Sequence, residues 1–275
     1  MRIVALVENT PCADGCEAVH GLSLWIETAN HRVLMDAGPS EVLLSNAHSL
    51  GIDLAKAEAL FVSHGHYDHT GGVMAFAAVN PQANIYMRRT ADGAFYSASS
   101  GDGTLHAIGI DPSILTLPRL HLTDGLQKLD DDLILFGDVT GRRCLPESNL
   151  RLYKKEENAF VQDRFDHEQH LVVREGERSV LFSGCAHSGI LNILDRYYEL
   201  FGHWPDAVVS GFHMKKSAPY TEAETETILH TAHELQKLPC RFYTCHCTGL
   251  AAYEQMKAVM GDQLSYLACG ESICL

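Results

Sequence analysis

Short apolar runs alternate with polar or glycine-rich stops along the whole chain, and the spacing of those stops predicts the elements. MRIVALV at the start reads as an apolar strand, and AEALFV (57–62) reads as a buried one ending at a polar loop. After Gly71-Gly72, VMAFAAVN reads as a helix stopped by Pro81. Farther on, SVLFSGC is β-prone and precedes the helix-like ILNILDRYYELFG, while DAVVSGFH and CRFYTCH each read as a strand handing over to a loop at a histidine. No repeat, low-complexity tract or polar linker interrupts the pattern. With 275 residues, 46% of them hydrophobic, one domain spanning 1–275 is expected.

The polar stop after the 57–62 strand carries the densest chemistry. SHGHYDHTGG (63–72) places His64, His66, Asp68 and His69 within six positions. Leaving a strand end, residues two apart point the same way, so His64 and His66 can present imidazoles to one cation. Asp68 and His69 then come round the following turn to face a second. Imidazole and carboxylate at this density make a metal site the leading reading. A merely solvated turn would be a poor use of three imidazoles beside an apolar strand.

This stretch resembles the HxHxDH signature of the metallo-β-lactamase superfamily. The resemblance extends to VENT near the start, HGLSLWIE (20–27), VLMDAGPS (33–40), NAHSLGIDL (46–54), SGCAHSGILNIL (183–194), SGFH (210–213) and TCHCTG (244–249). Together these are similar to the branch labelled 7,8-dihydropterin-6-methyl-4-(β-D-ribofuranosyl)aminobenzene-5′-phosphate synthase. The resemblance implies an α+β fold, a single-domain four-layer αββα sandwich, with 88–165 as a variable segment covering the active site. It also implies a metal-dependent hydrolase that uses a metal-activated water on a small ester, phosphoester or related anionic molecule. The implied cofactor is zinc, one or two ions, with iron or manganese as alternatives.

Further ligands are expected from later strand ends, His187 and His246 first, then Cys185 and His213; His213 could instead line the pocket. Relatives commonly carry a bridging aspartate where this chain has Cys185, and a thiolate there changes the bridge. His167 and His170 in DHEQH are reserve ligands. The other histidines, His20 among them, are expected to be surface or packing residues. Asp68 is the expected catalytic carboxylate, and Asp36 is expected to brace the ligand loop. Arg88, Arg89 and Tyr96 are candidates for substrate contact. SASSGDGTLHAIGIDPS, which begins at Ser97, reads as a mobile loop over the site.

Composition narrows the partners. A formal charge of −14 argues against nucleic acid, which needs clustered Lys and Arg. No apolar run approaches the roughly 18 residues of a membrane span, and the N-terminus lacks the pattern of a secretory leader, so the cytoplasm is the expected location. Nine cysteines, an odd count in a long chain, read as reduced. Cys12 and Cys16 form a weak metal-like pair, and Cys245 and Cys247 read as packing. The partner expected is a small anionic molecule, with oligomeric state open. Two further activities stay open: a pterin-forming synthase, and a metal-binding or redox-sensing protein using Cys185 and the CHC run. No GxSxG elbow or phosphate-binding glycine loop supports a competing mechanism.

Overall fold

Three hydrophobic layers stack through the molecule. In the computed structural model, which describes residues 1–11, 15–98 and 103–275, two seven-stranded sheets face each other with helices on both outer sides. The first sheet runs Ser272–Cys274, Arg2–Val7, Ser23–Glu27, Arg32–Met35, Ala59–Phe61, Asn84–Arg88 and Leu120–Thr123 from edge to edge. The second runs Leu264–Tyr266, Arg241–Thr244, Ala207–Ser210, Arg178–Phe182, His170–Glu175, Leu133–Phe136 and Gln127–Lys128.

Period-two alternation sorts each strand's side chains between layers. In the first strand, Ile3 and Ala5 enter the layer between the sheets, while Val4 and Leu6 pack under helices Val42–Ser49 and Val73–Val79. In the second sheet, Val180 and Phe182 meet that same middle layer, and Leu181 turns to the opposite side. There it packs with Ile190, Ile193 and Leu194 of helix Ile190–Phe201 and with residues of Glu222–Gln236 and Leu250–Met260. This is the α+β, four-layer αββα arrangement.

Strand direction positions the site. Arg178–Phe182, Ala207–Ser210 and Arg241–Thr244 are adjacent and parallel, so their C-terminal ends, and the loops bearing His187, His213 and His246, emerge at one edge. Segment 88–165 adds a four-stranded sheet of Ala159–Gln162, Leu152–Glu156, Phe95–Ser97 and His106–Ala107. Part of the run read as a mobile loop is ordered into elements: His106–Ala107 hydrogen-bonds against Phe95–Ser97, and Pro112–Thr116 is a short 3₁₀ helix. Residues 99–102 of that run, and Cys12 of the cysteine pair, lie outside the described residues.

Candidate metal centre

The ligand loop leaves strand Ala59–Phe61 and folds into a single helical turn, Tyr67–Thr70, capped by His66. Gly71 lets this turn press onto the 36–40 segment, since a Cβ there would collide with the Pro39 carbonyl. His64 and His66 lie with ring centroids 4.6 Å apart, and His69 lies 4.2 Å from His64. His187 and His246 arrive from the second sheet, so all five rings meet at one buried edge.

Hydrogen bonds fix which nitrogen of each ring points inward. Ser63 Oγ donates to Asp36 Oδ2 at 2.7 Å and so accepts from His64 Nδ1 at 2.8 Å. Asp36 Oδ2 also takes the His69 Nδ1–H at 2.6 Å. Asn149 gives its Nδ2–H to the His187 carbonyl, leaving Oδ1 to accept from His187 Nδ1 at 3.1 Å. Asn9 Oδ1 accepts from Gly21 N at 3.2 Å and from His246 Nδ1 at 2.8 Å. With Nδ1 engaged on each ring, Nε2 is the inward atom.

Those inward atoms face one another closely. His64 Nε2 is 3.3 Å from His187 Nε2, and His69 Nε2 is 3.2 Å from His246 Nε2. His66 Nε2 is buried and has no hydrogen-bond partner among the described residues. Asp68 Oδ2 lies 3.4 Å from His246 Nε2 and 3.7 Å from His69 Nε2. Cys185 Sγ, 3.2 Å from His69 Nε2, groups both with His64 and His187 and with His69 and His246, each set within 4.8 Å. The facing lone pairs of His64 and His187 and the orphaned buried nitrogen of His66 are costly unless a cation sits among them. The donor set therefore fits one or two metal ions, with the Cys185 sulfur common to both groups.

Electrostatics prepare the groups unequally. Burial, then the neighbouring imidazoles, hold His64 and His187 well below the ordinary histidine value, and burial brings His66 to about 3. These rings are neutral and free to donate a lone pair. His69 is the exception: burial lowers it, but the Asp36 and Asp68 carboxylates outweigh that and raise it to about 9. Burial would raise Asp68, yet His69 and His246 hold it charged, well below the usual range. Burial pushes the Cys185 thiol well up, whereas for Cys247 hydrogen bonds from Cys185 and His213 overcome burial and favour the thiolate.

The remaining candidates separate. The His213 ring lies 4.1 Å from that of His187. His167 is buried and holds the loop, accepting the Gly65 N–H at Nδ1 (3.0 Å) while its Nε2 bonds Asp163 (3.1 Å). His170 turns away to Ser183 and Phe136. A cavity of about 730 Å³ opens beside His187, lined among others by Phe165, Asn149, Asp163, Arg142, Lys154 and Arg164. Arg88, Arg89 and Tyr96 do not line it: Arg88 is buried against Asp138 and the Asp166 carbonyl, Arg89 pairs with Asp124, and Tyr96 packs on Phe160 in the outer sheet. These contacts place the three side chains in the variable segment, away from that cavity.

Sequence reasoning missed several supports. His20, expected to be ordinary surface, places Nε2 3.3 Å from Asp68 Oδ2. Glu8 is buried and accepts the His246 N–H at 2.6 Å and the Tyr266 hydroxyl at 2.7 Å. Glu168 accepts the His187 and Ser188 N–H groups at 2.7 and 2.9 Å. Glu8 and Asn9 lie in VENT, His20 opens HGLSLWIE and Glu168 sits inside DHEQH, so the motifs marked the stretches without assigning the roles. Cys247, read as packing, lies in a cluster with Cys185 and His213.

Comparisons with known proteins bear on the family and the fold. The sequence profile of the metallo-β-lactamase superfamily matches residues 17–146. A Methanocaldococcus jannaschii protein named 7,8-dihydropterin-6-methyl-4-(β-D-ribofuranosyl)-aminobenzene-5′-phosphate synthase is 25% identical over 268 residues, 92% of this chain and 89% of its own. An uncharacterized protein of the same organism is 29% identical over 219 residues, 77% of this chain and 79% of its own. A crystal structure described as a metal-dependent hydrolase of the β-lactamase superfamily aligns over 100% of this chain and 99% of that one, with TM-score 0.82 and 29% identity. No helix among the described residues is long and apolar enough to cross a membrane.

Proposed function

The chain belongs to the metallo-β-lactamase superfamily, and from that membership we propose that it is a metal-dependent hydrolase of a small ester, phosphoester or related anionic molecule. The observation that carries this reading is the pair of facing imidazole contacts, His64 with His187 and His69 with His246, joined by Cys185 beside an open cavity. His64, His66 and His187 would hold one ion, and Asp68, His69 and His246 a second. A bound ion of this kind supplies Lewis-acid polarisation and brings the pKa of water down towards about 7. Asp68 Oδ2, held as a carboxylate, balances the positive charge and offers a proton acceptor at the site. Phe165, stacked on the His187 ring at 4.5 Å, shields that ligand from bulk water and forms an apolar wall for the substrate. Arg142, Lys154 and Arg164 supply the cationic side chains of the cavity in place of Arg88 and Arg89.

The test is elemental analysis of freshly purified protein together with turnover on a panel of phosphoesters and carboxylic esters. Metal at one or two equivalents with chelator-sensitive turnover supports the reading; metal-free protein with full activity overturns it. A second reading is kept because the relative matching 92% of the chain is named as a pterin-related synthase. Product formation from a reduced pterin and a phosphorylated aminobenzene riboside, without ester turnover, would favour it.

A further inference from the structure

Two side chains at the centre belong to neither imidazole group. Cys247 and His213 come with Cys185 into a third cluster whose ligand atoms all lie within 4.8 Å. The surrounding chain is shaped around the Cys247 sulfur. A Cβ on Gly211 would collide with Sγ, so only glycine lets the neighbouring loop pass. Sγ accepts the His213 N–H at 3.2 Å, a bond that favours the thiolate. His213 and His246, on either side, both hold left-handed backbone with φ of 50°, a conformation that costs energy in a non-glycine residue and is retained where the surroundings demand it. His213 Nδ1 is buried and unpartnered among the described residues.

We propose that Cys185, His213 and Cys247 form a thiolate-rich cation site for a thiophilic divalent ion such as zinc. Ligand lengths of about 2.3 Å to sulfur and about 2.0 Å to nitrogen require donor atoms roughly 3.5–4 Å apart, which fits within the observed spread. Two thiolates and one imidazole select a softer ion than carboxylate and imidazole do. Loading releases the protons of whichever thiols are still protonated. The site shares Cys185 with the hydrolytic centre but takes its other ligands from outside it, so the two readings fail separately.

The experiment strips the full chain of metal, reloads it with Co²⁺, and reads metal equivalents alongside the near-ultraviolet thiolate-to-cobalt absorbance. Cys247→Ser is expected to lose about one equivalent per chain and part of that absorbance, and Cys185→Ser/Cys247→Ser to lose all of the absorbance. His213→Ala, at a half-buried position, should repeat the loss of one equivalent if the serine variant folds poorly. His66→Ala should keep the Cys247-dependent absorbance even where the histidine groups are emptied, which separates this site from the hydrolytic reading. Unchanged stoichiometry and absorbance in Cys247→Ser and His213→Ala would overturn the proposal. So would a Cys185–Cys247 disulfide in freshly purified protein, seen as two hydrogens lost from the intact mass and two thiols missing on titration.

Discussion

At the scale of single residues, Asp68 and Cys185 carry the sharpest expectations. Asp68 lies within 3.4 Å of His246 Nε2 and 3.3 Å of His20 Nε2, and its charge is held by those rings and by His69. Asp68→Asn keeps the shape but can neither accept a proton nor balance cationic charge. Turnover should fall by about 10²–10⁴, the usual worth of positioned proton transfer, while metal held by His64, His66 and His187 stays bound. Turnover and metal equivalents measured on one preparation decide it; near-normal turnover would remove Asp68 from the chemistry. Cys185 stands where both imidazole groups meet, so Cys185→Ser should weaken metal retention. Cys185→Asp should preserve or raise hydrolysis, because a carboxylate can span two ions. Equal metal retention by wild type and the serine variant would reduce Cys185 to packing.

At the scale of elements, the strand-to-loop handovers were legible because hydrophobic runs and their stops are local properties of the chain. AEALFV, SVLF, DAVVS and CRFYT each form strand where the apolar run lies, and each ends before its histidine. The 63–72 loop was legible for the same reason: its histidines and Asp68 are nearly contiguous. Asn9, Asn149 and Glu168 were not, because each acts across 19 to 237 residues of chain on a ring or loop that only folding brings near. The pairing of Arg88 with Asp138 was not legible either, because a charge's partner is invisible in one dimension. Glu168 gives the element-scale prediction. Its carboxylate accepts the two N–H groups that start the turn after Ala186, itself at φ 53°. Glu168→Ala leaves two buried donors unpaired at about 1–3 kcal/mol each. Denaturant midpoints should drop accordingly, with metal lost first from the His187 side; unchanged stability would show that water satisfies both donors.

At the scale of the whole molecule, the centre lies where loops from both sheets meet, and metal and proton compete to neutralise it. In the metal-free protein His69 is the ring that carries charge, raised from 6.5 to about 9 chiefly against burial by Asp36 and Asp68. A group whose folded pKa is raised stabilises the fold fully below its unfolded value and loses that stabilisation as pH rises through the folded value. Metal-free protein should therefore melt at progressively lower temperature as pH is taken from about 6.5 to about 9. Metal must displace the His69 Nε2 proton, so affinity at the Asp68–His69–His246 group should rise about tenfold per pH unit over that window and level off above it. Ligand binding to the native state adds about 2.7 kcal/mol at a hundredfold excess over Kd, and that gain grows with affinity. The two are one linkage seen from either side, since the proton that stabilises the metal-free fold is the one the metal displaces. The gap in Tm between metal-loaded and chelated protein should widen steadily towards pH 9, and Asp36→Asn, which removes the main charge holding the proton, should shift the widening to lower pH. Calorimetry across the window on both proteins tests this; a gap independent of pH in the wild type would mean that His69 does not hold its proton against the metal.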